Sequence, residues 1–225
     1  MEATKKEIAE LVGIMLGDGC IRTQKYKNKK LYNVKITLNS IDDRQYINYV
    51  VNLVEKVIEI RPLVRFRSNE NTVDIRTCKI EAYRSFLKMG LEKSPKWGRA
   101  KIPTPFLNNK FGALVVRGYF DTDGSVVITN NNGTIYPRLE MKVCPSPMQK
   151  QFVDILEKLG FRFGVYQIGN GEVRIQLNGI HQLRKWVTGI GFSNPKHMNK
   201  ARRMIKLYEK KATAIGRGLA SGGKI

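Results

Sequence analysis

Apolar residues along this chain follow two alternating rhythms. Ile8, Leu11, Val12 and Met15 recur at the spacing of one helical face and predict a helix over 5–17. The pattern then changes to period two. Val34, Ile36 and Leu38 alternate with Asn33, Lys35 and Thr37, as expected of strands over 20–27 and 31–39 joined by the turn KNKK. A helix over 42–60 follows, with Ser40 or Asp42 as its expected cap. Two strands over 63–67 and 72–77 flank SNEN, and a helix over 79–89 stops at Gly90.

The same order then returns. A helix is expected over 109–122, strands over 125–130 and 135–143 around NNNG, and a helix over 146–159 stopped by Gly160. Strands over 161–168 and 172–177 flank GNG, and helices over 179–188 and 196–211 follow. Pro103 and Pro105 mark the joint. A repeat of about a hundred residues is too long for a solenoid. The expected class is α+β, with two pseudo-symmetric αββαββα lobes: 1–101, a linker 102–108, 109–211, and a mobile tail 212–225.

Composition narrows the partners. The chain has 225 residues with 40 Lys+Arg against 19 Asp+Glu, a net charge of +21. The excess lies in both halves: 21 basic and 12 acidic residues in 1–108, 19 and 7 in 109–225. A long polyanion touching both lobes accounts for that spread better than a basic tail does. The three cysteines, Cys20, Cys78 and Cys144, are odd in number and widely spaced, against a disulfide scaffold or a zinc site. No apolar run approaches a membrane span, and the first residues lack an export signal. An intracellular, cytoplasmic protein without a membrane partner is expected.

Chemistry concentrates where each half opens. Both first helices end in Asp-Gly, at Asp18-Gly19 and Asp123-Gly124. A carboxylate at a helix C-terminus is disfavoured by about 0.3–1 kcal/mol, so two at matching positions suggest a gain elsewhere. Gly13 and Gly17 are four apart, as are Gly118 and Thr122. Small residues at that spacing let helix backbones approach closely. Two such helices packed together would bring Asp18 and Asp123 side by side, where like charges repel unless a cation lies between them. Carboxylates and helix-end carbonyls are hard oxygen ligands suited to Mg2+, and acidic pairs with divalent metal cut phosphodiesters.

The nonamers Leu11-Val12-Gly13-Ile14-Met15-Leu16-Gly17-Asp18-Gly19 and Val116-Arg117-Gly118-Tyr119-Phe120-Asp121-Thr122-Asp123-Gly124 resemble, position by position, the signature of the LAGLIDADG homing endonucleases in their two-motif form. The resemblance covers about 5–210. It implies a monomer with a saddle of antiparallel sheets over double-stranded DNA, a long asymmetric target site, and cleavage of both strands. It implies catalytic acids at Asp18 and Asp123, metal contacts from these two and from Gly17 and Thr122, and a lysine after each third helix. That last role is carried onto Lys93 and Lys196, with Lys96 a rival. Mg2+ is the expected cofactor, with Mn2+ substituting and Ca2+ supporting binding alone. An intron-encoded enzyme is expected. The alternatives are an RNA maturase acting on its own intron and a non-cleaving DNA-binding regulator. Leu16 departs from the motif, which has an acid at that position, as copy two does at Asp121.

The polar faces of the strands supply candidate base contacts: Arg22, Gln24, Tyr26, Asn33, Lys35, Thr37, Arg65, Arg67, Asp74 and Arg76 in lobe one, and Arg138, Glu140, Lys142, Arg174 and Gln176 in lobe two. Arg, Lys, Asn and Gln are the side chains that pair with major-groove base edges. Trp97 and Trp186 are expected in the core or the interface, and His181 and His197 outside the chemistry.

Overall fold

A computed structural model describes residues 3–131 and 134–221. Part of the expected turn at 130–133 and the last residues of the expected tail, 222–225, lie outside the described residues. The two halves fold alike. Helix α1 (Lys5–Leu16) leads into strands β1 (Gly19–Tyr26) and β2 (Lys29–Asn39), helix α2 (Arg44–Ile58), strands β3 (Leu63–Phe66) and β4 (Thr72–Thr77), and helix α3 (Ile80–Lys88). After a 3-10 turn at Thr104–Phe106 come α4 (Asn109–Asp123), β5 (Gly124–Asn131), β6 (Thr134–Val143), α5 (Met148–Lys158), β7 (Gly164–Gln167), β8 (Val173–Asn178) and α6 (Ile180–Gly189). Helix α7 (Pro195–Ser221) closes the chain. Each lobe holds one antiparallel sheet, in strand order β1-β2-β4-β3 and β5-β6-β8-β7.

Local sequence explains where the motif helices begin. Thr4 and Glu7 form a reciprocal cap: the Thr4 hydroxyl accepts from Glu7 N at 3.3 Å, and the Glu7 carboxylate accepts from Thr4 N at 2.8 Å. Asn108 caps α4 by accepting from Phe111 N at 3.0 Å. Both helices are buried around most of their circumference, with Leu11, Val12, Ile14, Val115, Val116 and Phe120 fully enclosed.

The two helices meet through glycine. A Cβ on Gly13 would press into the Val115 carbonyl and stand 2.9 Å from Tyr119 N. A Cβ on Gly118 would press into the Glu10 carbonyl and stand 2.9 Å from Ile14 N. Backbone therefore lies on backbone, a separation that no larger side chain allows. Towards the tips, Gly17 faces the Thr122 side chain. Arg117, the charge on this otherwise apolar seam, pairs across it with Glu10, which is 2% exposed and also accepts from Tyr49 Oη at 2.8 Å.

Alternation turns one face of each sheet inward. Val34, Ile36, Leu38, Val73 and Ile75 line the core of lobe one, and Leu139, Met141, Val143, Val173, Ile175 and Leu177 that of lobe two. Helices cover these faces, and the opposite faces carry the polar set.

Several expectations are corrected. Helix α2 starts at Arg44, and neither Ser40 nor Asp42 caps it. Asp43 stands at the cap position without capping, because its carboxylate is engaged elsewhere. The first hairpin turn is tighter than KNKK: Lys27 and Asn28 take φ of 42° and 57°, a two-residue left-handed turn matched to sheet twist. Strand β7 is shorter than expected, since Phe161 turns into the core at 7% exposure. Helix α7 runs on to Ser221 instead of ending at 211. Trp186 is fully buried, but Trp97 is half exposed and belongs to no core.

The seam yields a direct test. Gly118→Ala should destabilise by about 1–3 kcal/mol, the usual range for forcing a methyl into packed structure. Gly189→Ala, where a Cβ would meet nothing within 4 Å, should be neutral or slightly stabilising. Urea unfolding midpoints of the two variants check both.

Candidate active site

The glycine seam delivers the two helix tips to one place. The Asp123 Oδ2 atom lies 3.4 Å from where a Cβ on Gly17 would stand, so the carboxylates of adjacent lobes are neighbours. Burial pushes the Asp18 carboxyl up to about 7, and the Asp123 charge adds to it. Lys96 and Lys196 pull the other way. Asp123 is exposed as a residue, but burial around its carboxyl raises its pKa, with Lys96 opposing. Two neighbouring carboxyls whose ionisation is disfavoured mark a place where added positive charge is stabilising.

Lys96 supplies part of that charge. Its Nζ donates to the Leu16 carbonyl at 2.8 Å and to the Gly17 carbonyl, both at the tip of α1. Burial lowers its pKa, while Asp123 and Asp18 hold it up. The oxygens gathered here are two carboxylates and the Leu16 and Gly17 carbonyls, with the Cys20 and Cys144 thiols close enough to act on Lys96. Among the described residues no group of three or more His, Cys, Asp or Glu could enclose a metal. Oxygen donors of this kind suit a hard divalent cation.

Lys93, the sequence-based choice for the lobe-one lysine with Lys96 its rival, lies away from the helix tips. It is exposed, with Nζ 6.0 Å from the Tyr83 ring centroid, while Lys96 is the lysine that reaches the helix tip. Lys196 is engaged by Asp43, with Nζ 2.7 Å from Oδ1. Thr122 turns its hydroxyl back to its own helix, donating to the Tyr119 carbonyl at 2.9 Å.

A buried clasp supports the tips from behind. Asp121 is fully buried and accepts from Ser193 N at 2.6 Å and Asn194 N at 3.1 Å, at the entry to α7. The Asn194 amide donates to the Asp121 carbonyl at 3.0 Å and to Asp43 Oδ1 of the other lobe at 2.7 Å. Burial still pushes the Asp121 carboxyl up to about 8, against those two backbone donors. Sequence reading missed Asp43 and Asn194. The paired tripeptides Ser94-Pro95-Lys96 and Asn194-Pro195-Lys196 carried the available signal.

Register gathers the candidate base contacts. Arg22 stands opposite Asn33, Lys35 opposite Arg76, and Thr37 opposite Asp74, which in turn pairs with Arg65. Directly opposed residues share a face, so these, with Gln24 and Tyr26 at alternate positions of β1, lie on the polar face of lobe one. In lobe two Arg138, Glu140, Lys142, Arg174 and Gln176 share the equivalent face. Each face has an acidic hub. Asp74 is 8% exposed and accepts from Thr37 Oγ1 at 2.9 Å and from Arg67 Nε and Nη2 at 3.1 Å, with Lys35 Nζ 3.4 Å away. Burial raises its carboxyl, but these partners outweigh it and hold the pKa low. Glu140 engages Arg138 and lies 3.5 Å from Arg174 Nε. The hubs hold basic side chains in place, so Asp74 is less a free base reader than the sequence pattern suggests.

Two lobes of the same αββαββα plan, joined through acidic helix tips beneath basic sheets, define a class: proteins that bring paired carboxylates to a polyanion. Comparison identifies the family. The model of the LAGLIDADG DNA endonuclease family matches residues 8–176, and the chain belongs to that family of site-specific DNA endonucleases. No curated protein matches the chain. Solved structures share the fold: I-DmoI in complex with DNA and Mn (18% identity, TM-score 0.62, over 84% of this chain and 97% of that one), and I-AabMI bound to uncleaved DNA (14%, 0.64, over 97% and 99%). I-LtrWI bound to target DNA is similar at 12% identity and TM-score 0.64, over 96% of this chain and 95% of that one. Among the described residues no helix is long and apolar enough to cross a membrane.

The tip charges set a pH dependence. A carboxyl whose pKa rises on folding binds its proton more tightly in the folded state. Its contribution to stability is present below the unfolded value of 3.8 and is lost as pH rises through about 7 for Asp18. His197, buried against Phe120 and Phe192 and held down to about 3 by burial, acts oppositely: its contribution is present above 6.5 and falls away towards 3. Comparing wild type with Asp18→Asn cancels the histidine. Without metal, the two should melt together near pH 4, and the variant should be the more stable by pH 8. Thermal melts in chelator at both pH values check this.

Proposed function

We propose that this endonuclease acts as a monomer on a long, asymmetric double-stranded site, using Mg2+ held by Asp18 and Asp123. The observation that carries the reading is the convergence of two carboxylates, one from each lobe, at tips fixed by a glycine seam. The Gly17 carbonyl adds an oxygen donor on the lobe-one side. A cation bound there would stabilise charge on the scissile phosphate and acidify a water. Mn2+ is expected to replace it, and the neighbouring I-DmoI structures are described with Mn, Ca and Mg.

The chain's own groups do the rest. Lys96 brings an ammonium to the same oxygens and is the group best situated to meet a phosphate oxygen there. The two polar sheet faces give the DNA a basic bed in which Asp74 and Glu140 keep arginines in fixed orientations for base edges. The family match adds no support for the maturase or regulator alternatives.

Asp18→Asn and Asp123→Asn should each reduce double-strand cleavage by about 10²–10³-fold or more, with DNA affinity kept or improved because a negative charge near phosphate is gone. Cleavage of a randomised duplex library in Mg2+, with binding in Ca2+ as the control, measures both. Either variant cutting at the wild-type rate would end the assignment. Arg76→Ala should relax preference at one base pair, at a cost of about 1–3 kcal/mol in discrimination. An even loss across all sites would make it a phosphate contact instead.

A further inference from the structure

The loops that close the two lobes carry matching tripeptides, Ser94-Pro95-Lys96 and Asn194-Pro195-Lys196, yet their lysines end in different surroundings. Lys96 reaches the tip of α1 and donates to the Leu16 and Gly17 carbonyls. Lys196 is drawn to Asp43, with Nζ 2.7 Å from Oδ1. Asp43 is 5% exposed and already accepts from Asn39 N at 3.2 Å and from the Asn194 amide at 2.7 Å, so its carboxylate is anchored on both sides.

The difference traces to one position in each lobe. Each loop packs against the other lobe just ahead of that lobe's second helix. The loop of Lys196 meets Asp43, the residue before α2. The loop of Lys96 lies along 145–148, where Gly98 N donates to the Pro145 carbonyl at 2.6 Å and Met148 N to the Ala100 carbonyl at 3.1 Å. The residue before α5 is Pro147, which offers no carboxylate. One lysine therefore finds an acid ahead of the facing helix and stays with it; its counterpart finds none at that position and extends to the helix tip.

We propose that Asp43 is a positioning residue that parks Lys196 short of the helix tips while Lys96 reaches one, so that the two DNA strands are cut in a fixed order, the one beside Lys96 first. This rests on the reading of Asp18 and Asp123 as the hydrolytic pair. The scissile phosphate that meets Lys96 is cut first. The second waits for Lys196 to leave Asp43, or proceeds without an ammonium. Polarity sets the order, since an anchored carboxylate holds a lysine that would otherwise be free to reach phosphate.

A supercoiled plasmid bearing the target separates the two cuts, as nicked circle forms and then becomes linear. Wild type should accumulate nicked circle. Asp43→Asn should convert nicked circle to linear at least about threefold faster, and Asp43→Asn/Lys196→Met should lose that gain. A merely weakened interface would not speed a step, nor make the gain depend on a lysine. The reciprocal variant is Pro147→Asp, at an exposed site, which should hold Lys96 away and slow the first nick at least about threefold, with no further loss on adding Lys96→Met. It decides the matter if Asp43→Asn folds poorly. Folded Asp43→Asn with unchanged or slower conversion, or Pro147→Asp with an unchanged first nick, overturns the proposal. If Asp18→Asn still cuts, the hydrolytic pair itself is wrong, a result distinct from either.

Discussion

The structure depends on the contact of two helix backbones at Gly13 and Gly118. Each glycine lies where a methyl would enter the facing helix's carbonyl, so the separation of the lobes is set by backbone and not by side chains. That separation fixes where α1 and α4 end, and hence how near Asp18 comes to Asp123. A core packed by leucines could shift by a few tenths of an ångström and remain a core. The spacing of two carboxylates on facing helix tips has no such latitude, because it is set by the backbone contact.

Bringing the carboxylates together has a cost that the protein meets in two ways. Lys96 reaches the α1 tip and offsets part of the negative charge directly. Behind the tips, Asp121, Asn194 and Asp43 tie the entry of α7 to both lobes through buried hydrogen bonds. Buried polar links of this kind contribute little net stability, yet each is costly to leave half-made. They therefore fix one relative placement of the lobes. Arg117 and Glu10 do the same further down the seam.

The sheets are a second constraint, independent of the first. Their inner faces are apolar and would fold over any helix layer of the right shape. Their outer faces carry arginines and lysines whose orientation is set locally, by Asp74 in lobe one and Glu140 in lobe two. A carboxylate on a DNA-facing surface repels phosphate, but one already shared among basic neighbours adds rigidity while leaving the face positive. The helix tips and the polar sheet faces can thus be altered separately.

Most of the architecture was legible in the sequence, because periodicity reports burial and burial decides element type. The switch from helical to strand spacing, and its repetition in the same order, was enough for the two-lobe plan. The Asp-Gly ends and small-residue spacing were enough for the paired acids. Turn lengths, the start of α2 and the extent of α7 were not, since each depends on a few tenths of a kilocalorie or on contacts with distant chain. The lysine assignment needed the tertiary structure most. Lys93, Lys96 and Lys196 are alike as residues, and a flexible side chain goes to whichever carboxylate or carbonyl the fold leaves within reach. Local sequence determined that lysines stand beside the site. Only the packing of each loop against the opposite lobe, with Asp43 on one side and Pro147 on the other, decided which of them enters it.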